Sequence, residues 1–303
     1  MYNGFSHSVK GASHEKTGLV CQDSSAVKLG DSYAIAVVAD GHGSKKHFRS
    51  HFGSQFAVDA AIETIDRFYQ VRDELEANLP DNHQRIIRNI EKQIIAAWNS
   101  KIEQHLAEFP VTDEEKSKFT AEEFEAIPTE SYYGTTLVAA VAGADYTFGL
   151  QIGDGSLVAI FEDGKAVMPM AYNESAPANV TASMCNSNAA GMFSSFYYPN
   201  RQLIALYSST DGLYTSFGSE YDFLDYHSII TSQLTNLESF EPVILQNLKK
   251  RSCGGTQDDT SLSCIFHAQA LHEHLDLLKA QIAENKQRAA ERKAQLHSKQ
   301  KNA

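Results

Sequence analysis

The stretch Tyr33-Ala34-Ile35-Ala36-Val37-Val38-Ala39-Asp40-Gly41-His42-Gly43-Ser44 joins an apolar run to an aspartate that stands among glycines. The apolar run predicts a strand that is buried on at least one face. Glycine then allows a sharp turn and lets a backbone carbonyl approach a ligand closely. Carboxylate and carbonyl oxygens suit hard cations such as Mg²⁺ and Mn²⁺. Taken alone, however, an Asp-Gly pair after a strand is usually an ordinary turn.

Two further segments carry carboxylates at a strand end. Leu203-Ile204-Ala205-Leu206-Tyr207 predicts a second buried strand, and Asp211-Gly212 follows it. Asp258 and Asp259 come before the predicted strand at 262–266. Adjacent acids repel each other, so a nearby cation is one way to stabilise them, and a solvated turn is the alternative.

Asp-Gly pairs also occur between predicted strands. Asp154-Gly155 separates the predicted strands 146–152 and 157–161, and Asp163-Gly164 follows the second of them. Because Asp-Gly is a favoured hairpin turn, a plain turn is a strong alternative for Asp154. Asp163 is interpreted as a turn residue without a function.

The overall pattern predicts the α+β class. A further strand is predicted at 136–141, and helices are predicted at about 46–70, 83–108, 219–236 and 239–251. Asp-Gly turns suggest antiparallel hairpins, and paired helices suggest that they cover sheet faces. An exposed connection with one helical turn is expected over 109–131, and an irregular loop that flanks the site is expected over 172–200.

Composition excludes several classes of protein. The 303 residues carry a net charge of −12, which argues against nucleic acid as a partner. No apolar run is long enough to cross a membrane, and the first residues lack the features of a signal peptide, so a cytoplasmic location is expected. The four cysteines show neither zinc-type spacing nor the loop of a cysteine phosphatase, and they are interpreted as structural.

The C-terminal stretch forms a separate unit in the sequence. From Leu271 onward there are seven Lys or Arg residues and four Asp or Glu residues, in a chain that is otherwise acidic. Leu275, Leu278 and Ile282 lie on one stripe of a predicted helix that begins past His267. We expect this stripe to dock on the preceding domain. The basic remainder is expected to project into solvent or to bind a partner or a second copy.

Six segments in order over residues 1–267 resemble the metal-dependent protein serine/threonine phosphatases of type 2C, particularly the bacterial branch. They are Gln22-Asp23, Asp40-Gly41-His42-Gly43, Gly134-Thr135-Thr136, Gly153-Asp154-Gly155-Ser156, Asp211-Gly212 and Asp258-Asp259. The resemblance implies a four-layer αββα sandwich of two antiparallel sheets flanked by helices. It also implies a phosphatase domain over residues 1–268, with a polar, basic helix over 269–303.

The resemblance also implies roles for individual residues. Asp40 would bridge two Mn²⁺ or Mg²⁺ ions, Gly41 would bind through its carbonyl, and Asp211 and Asp258 would be further ligands. Asp23 would hold metal-bound water. Asp154 would join Asp211 in a weaker third metal position. His42 is either the proton donor to the leaving group or a structural residue.

The implied activity is hydrolysis of phosphoserine and phosphothreonine in proteins by a water molecule that two metal ions activate. A phosphoprotein substrate and a cognate protein kinase are the implied partners. The alternative is an inactive module with the same fold that binds a phosphoprotein.

The chain departs from the family pattern at three positions. Gly18 stands where many members have an arginine that grips the phosphate, and Lys16 or His14 is the nearest replacement. Gln22 and Asp259 stand where many relatives have glutamate and asparagine. Neither of these two changes removes a proposed metal ligand.

Overall fold

The computed structural model describes residues 1–70, 72–170 and 181–301, without side-chain detail for 72–76 and 293–301. Within these residues the chain forms ten strands and nine α-helices. In chain order they are β1 (Tyr2–Val9), α1 (Ala12–Thr17), β2 (Asp23–Leu29), β3 (Ala34–Asp40), α2 (Ser50–Tyr69), α3 (Arg72–Glu108), α4 (Asp113–Lys116), α5 (Ala121–Glu125), β4 (Leu137–Ala142), β5 (Tyr146–Ile152), β6 (Ser156–Phe161), β7 (Ala166–Val167), β8 (Ser194–Pro199), β9 (Leu203–Ser209), α6 (Asp211–Tyr214), α7 (Glu220–Thr231), α8 (Leu237–Gly254), β10 (Thr260–His267) and α9 (Ala268–Lys301).

The strands form two five-stranded antiparallel sheets. The first sheet has the order β2-β3-β4-β5-β8, and the second has the order β1-β10-β9-β6-β7. Helices α2 and α3 cover the outer face of the first sheet, whereas α7, α8 and α9 cover the second. The predicted α+β class and the four-layer αββα sandwich are confirmed.

Strand β3 shows how the sequence separates the layers. Ile35, Val37 and Ala39 face the helices on the first sheet, and Ala34 and Ala36 face the second sheet. Both sets are buried, because successive side chains of a strand point to opposite faces. A strand covered on both sides therefore has no polar positions, and this accounts for its continuous apolar run.

The layer between the two sheets is rich in small residues. Ala34, Ala36, Ala140, Ala142 and Ala159 all lie in it, and all are fully buried. At Gly4 on β1, an added Cβ atom would stand 2.9 Å from Val27 Cγ1 on the opposite sheet. Small side chains thus let the two sheets approach closely, and a larger side chain here would push them apart.

The predicted strands correspond to β3, β4, β5, β6, β9 and β10, and all six predictions are confirmed. The expectation of an irregular stretch over 172–200 is wrong where β8 forms, since Ser194–Pro199 pairs with β5. Residues 171–180 of that stretch lie outside the described part of the chain. The connection over 109–131 contains two short helices, α4 and α5, rather than one turn.

Helix α9 confirms the predicted docking of the C-terminal stripe. Leu278 is fully buried, and Leu275 and Ile282 pack against the same core under the second sheet. Farther along, Asn285 Nδ2 donates to Asp225 Oδ1 at 2.6 Å, and Arg292 lies 4.5 Å from the ring centre of Tyr221. None of the helices in the described ranges has the length and apolar character needed to span a membrane.

Candidate metal centre

The strand ends that carry the predicted carboxylates meet at one end of the sandwich. Asp23, the first residue of β2, pairs with Asp40, the last residue of β3. Asp211 follows β9, and Asp258 precedes β10, which pairs antiparallel with β9. In an antiparallel pair the start of one strand lies beside the end of its neighbour. Carboxylates at strand ends of both sheets can therefore lie at the same end of the sandwich.

The backbone of Asp40 is held by the Gly134-Thr135-Thr136 segment. Its N–H donates to Thr136 Oγ1 at 3.0 Å. Its carbonyl oxygen accepts from Thr136 N at 2.8 Å and from Thr135 Oγ1 at 2.8 Å. These three hydrogen bonds fix the point from which the Asp40 side chain projects, and they give the threonine motif a structural role.

The carboxyl groups of Asp40 and Asp211 are neighbours that shift each other's pKa. Burial raises the pKa of Asp40 well above its usual range, and the charges of Asp23 and Asp211 raise it further. Burial likewise raises the pKa of Asp211, with Asp154 as the strongest charged neighbour and Asp258 also contributing. Charge repulsion therefore links these five carboxylates.

Asp23 connects the two sheets. It belongs to the first sheet, but its Oδ2 accepts hydrogen bonds from Thr210 Oγ1 at 2.9 Å and Ser261 Oγ at 2.8 Å on the second sheet. Burial raises the pKa of Asp23 well above its usual range, although these hydrogen bonds oppose the shift. Its other oxygen, Oδ1, is buried and has no hydrogen-bond partner among the described residues.

The turn that carries Asp154 is not a hairpin. Strand β5 lies in the first sheet and β6 in the second, so Gly153-Asp154-Gly155 carries the chain from one sheet to the other. Asp154 Oδ2 accepts from Thr181 Oγ1 at 2.9 Å. By contrast, Asp163-Gly164 does join the antiparallel pair β6 and β7, which agrees with its interpretation as a turn. The two Asp-Gly pairs look alike in sequence and differ in what they connect.

Asp259 forms hydrogen bonds to distant parts of the chain that the sequence did not indicate. Its side chain is buried, with Oδ1 accepting from Gly11 N at 2.6 Å and Oδ2 accepting from Gln22 N at 2.6 Å. His14 Nδ1 also lies 3.0 Å from Oδ1. Through these hydrogen bonds Asp259 connects the segment before Asp23 to the loop that carries Asp258. The acidic pair at 258–259 marked this position in the sequence. Its partners could not be predicted, because they lie far from Asp259 along the chain.

The loop after β9 lies directly against the start of β10. A Cβ atom added to Gly212 would stand 2.1 Å from the backbone oxygen of Asp259. Only glycine allows this approach without moving one of the two backbones. The contact sets the spacing between Asp211 and the Asp258-Asp259 pair.

His42 follows Gly41 and packs against His47. Its backbone N–H donates to Gly134 O at 3.0 Å, and its ring centre is 4.9 Å from that of His47. Burial lowers the pKa of His42 to about 4, and the charges of His47 and Lys46 contribute to the shift. Because this pKa lies well below 7, the imidazole is neutral at neutral pH.

The two candidates for the missing phosphate contact have different surroundings. His14 is paired with Asp259, whereas Lys16 Nζ donates to Gln257 Oε1 at 3.1 Å, next to Asp258. Both project from α1, which ends at Gly18 with φ = 74°. Gly18 occupies the left-handed region, so an arginine at this position would be strained.

The site fits a hard cation by its chemistry. Its potential ligands are oxygen atoms, and Asp211 Oδ1, like Asp23 Oδ1, is buried without a hydrogen-bond partner in the described chain. Across residues 1–70, 72–170 and 181–301, no three His, Cys, Asp or Glu side chains already form a closed ligand set. Buried acids without donors have the acceptor capacity that a divalent cation requires.

Comparison with known proteins agrees with this architecture. The family model for protein phosphatase 2C matches residues 10–250, so the chain belongs to the protein phosphatase 2C family. A search of curated proteins finds no match.

Three solved structures illustrate the fold. A serine/threonine phosphatase of S. agalactiae is 13% identical, with a TM-score of 0.52 over 88% of this chain and 99% of that one. A bacterial serine phosphatase is 15% identical, with a TM-score of 0.51 over 88% and 98%. PppA, a regulatory component of the type VI secretion system in Pseudomonas aeruginosa, is 18% identical, with a TM-score of 0.50 over 88% and 97%. At these identities the similarity shows the fold alone.

Proposed function

We propose that this chain hydrolyses phosphoserine and phosphothreonine in proteins with the help of Mn²⁺ or Mg²⁺ ions. The observation that carries the proposal is that strand ends of both sheets bring Asp23, Asp40, Asp211 and Asp258 to one end of the sandwich, with Asp154 on the turn between the sheets. Membership of the protein phosphatase 2C family supports the same activity.

In this proposal the ions are held by the side chains of Asp40, Asp211 and Asp258 and by the carbonyl of Gly41. Asp154 would support a weaker third position. When bound, such ions lower the pKa of coordinated water and neutralise charge on phosphoryl oxygens. Asp23 has a free acceptor oxygen to orient water, because Thr210 and Ser261 occupy only its Oδ2.

His42 receives a positioning role in this proposal. Burial lowers its pKa to about 4, so its imidazole is neutral at pH 7, and proton donation to the leaving group remains the alternative role. Its contact with the His47 ring and its hydrogen bond to Gly134 instead hold the loop that carries Gly41.

The direct test is turnover of p-nitrophenyl phosphate and of a phosphothreonine peptide, with and without Mn²⁺. Metal-dependent release of phosphate from both substrates supports the proposal. Gly18, which stands in the place of the family's arginine, favours the alternative of an inactive phosphoprotein-binding module. Binding of the phosphopeptide without any turnover would establish that alternative.

Lys16 is the residue that we propose to contact the substrate phosphate. Changing Lys16→Met should raise KM for p-nitrophenyl phosphate by about 10-fold, because a charge-assisted contact contributes roughly 1.5–3 kcal/mol. The kcat value should change less, and Lys28→Met, which alters a lysine paired with Asp66, is the matched control. Steady-state kinetics at saturating Mn²⁺ measures both constants. An unchanged KM in the Lys16 variant would assign the contact to another residue.

The remaining proposals concern organisation. We assign residues 1–268 to the catalytic domain, in the cytoplasm and opposed to a cognate protein kinase. Residues 269–303 form the polar, basic helix, and we assign its part beyond Ile282 to association with a partner or a second copy. Removal of residues 285–303 should leave hydrolysis of p-nitrophenyl phosphate within a few-fold of the full chain, because every proposed ligand lies before that point. The measurements are kcat/KM and circular dichroism. A folded truncated chain without metal-dependent activity would place the end of α9 in the active site.

A further inference from the structure

The cap segment, residues 109–128, contacts Lys45, Phe48 and Arg49, which follow the loop of Asp40–Gly43. It contains α4 and α5, of four and five residues, and helices this short are not stable alone. Each begins with a capping box, in which a threonine and a glutamate three residues later satisfy each other's backbone N–H groups. The capping pairs are Thr112 with Glu115 and Thr120 with Glu123.

Each capping glutamate also binds a basic residue that follows the Asp40–Gly43 loop. Lys45 Nζ lies 3.5 Å from Glu123 Oε2, but both side chains are more than half exposed, at 54% and 58%. Exposed pairs of this kind contribute little. Arg49 pairs with Glu115 instead at 2.7 Å, and the two side chains are only 6% and 22% exposed. The second pair is therefore the one able to hold the cap segment in place.

Each nitrogen of the Arg49 guanidinium group donates a hydrogen bond, to the cap segment or to Tyr133. Nε and Nη2 donate to the two carboxylate oxygens of Glu115 at 2.7 and 2.8 Å. Nη1 donates to Phe109 O at 2.7 Å and to the Tyr133 hydroxyl at 3.1 Å, and Nη2 also donates to Pro110 O at 3.1 Å. A planar fork is required to reach both carboxylate oxygens at once, and lysine cannot replace it.

A continuous set of contacts leads from Arg49 to Asp40. The backbone N–H of Arg49 donates to Tyr132 O at 2.8 Å, His47 Nδ1 contacts Ser131 O, and the N–H of His42 donates to Gly134 O at 3.0 Å. The next residues, Thr135 and Thr136, hold the backbone of Asp40. Hydrogen bonds thus connect residues 42–49 to residues 131–136. The side chain of Arg49 connects the C-terminal end of segment 42–49 to the cap segment.

We propose that Arg49 and Glu115 form a positioning pair that orders the metal-binding loop by fastening the cap segment to it. This inference rests on the proposed function, because the loop supplies Asp40 and Gly41 to the metal ions. The pair lies among backbone and side-chain groups of the cap segment and acts on the loop through the backbone contacts of residues 42–49.

Glu115→Gln is the most selective test. Glutamine can still complete the capping box with Thr112, so the change removes the ion pair and keeps the helix cap. Glu123→Gln makes the same change in the exposed pair and is the matched control. Arg49→Lys keeps the charge and removes the fork. Circular dichroism verifies that each variant is folded.

Two measurements that do not depend on turnover decide the inference. In metal-free protein, amide hydrogen exchange at His42, His47 and Arg49 should accelerate in Glu115→Gln and remain unchanged in Glu123→Gln. Calorimetry should show the Kd for Mn²⁺ raised by about 10-fold, the lower end of the effect of losing support around a metal ligand. Arg49→Lys should show the same direction of change.

A lower melting temperature with unchanged exchange and unchanged Mn²⁺ affinity would reduce the pair to a simple stabilising contact and overturn the inference. If the wild-type chain neither binds Mn²⁺ nor hydrolyses p-nitrophenyl phosphate, the proposed function fails. The exchange measurement then still decides whether the pair orders residues 42–49, so the two failures are distinguishable.

Discussion

Asp40→Asn should lower kcat for p-nitrophenyl phosphate by more than about 100-fold, beyond the usual cost of losing a residue that only supports a metal ligand. Asparagine has nearly the same shape but no charge, and Asp40 lies at the centre of the carboxylate cluster. The effect should therefore come from weaker metal binding, with the backbone hydrogen bonds to Thr135 and Thr136 retained.

The same variant should be at least as stable as the wild-type chain when metal is removed. Burial already raises the pKa of Asp40, so a neutral amide relieves repulsion from Asp23 and Asp211. Thermal unfolding in EDTA measures this effect, and Asp163→Asn in the β6–β7 hairpin is the matched control for activity. An active Asp40→Asn enzyme, or one that unfolds much earlier in EDTA, would show that the metal centre is elsewhere.

Chelation should abolish activity, and added Mn²⁺ should restore it. The proposed chemistry depends on cations and uses none of the four cysteines. Cys253 is exposed at the end of α8, Cys264 is buried in β10, and burial raises the pKa of the Cys21 and Cys264 thiols, which disfavours the reactive thiolate.

Phosphate release after EDTA treatment, after Mn²⁺ readdition and after alkylation with iodoacetamide separates the two kinds of chemistry. Activity should survive alkylation within a few-fold. Full activity in metal-free buffer would rule out the proposed mechanism, and complete loss of activity on alkylation with Mn²⁺ present would indicate a cysteine-dependent one.

Central strands were predictable from the sequence, and edge strands were not. Strand β3 is apolar throughout because helices cover one face and the second sheet covers the other. Strands β1 and β2 are rich in serine and other polar residues, and many of their side chains are only partly buried. Their pairing depends on β10 and β3, so the local pattern carries little signal.

The candidate site shows the same division between local and distant information. Asp40 and Asp211 could be found because each follows an apolar strand with Asp-Gly at its end. The roles of Asp259 and Arg49 depend on partners far along the chain, such as Gly11 for one and Glu115 for the other. The two capping boxes at Thr112 and Thr120 were readable in principle, and they specify two helices where one turn was expected.

The alanine-rich layer between the sheets has a consequence for how this chain can vary. Asp23 and Asp40 extend from one sheet and Asp211 from the other. The distance between the two sheets therefore determines the distances among these carboxylates. An extra methylene group at Ala36 or Ala140 would increase the distance between the sheets without changing any acidic residue. Substitutions that thicken this layer are therefore expected to lower activity, although they lie far from the proposed metal ligands.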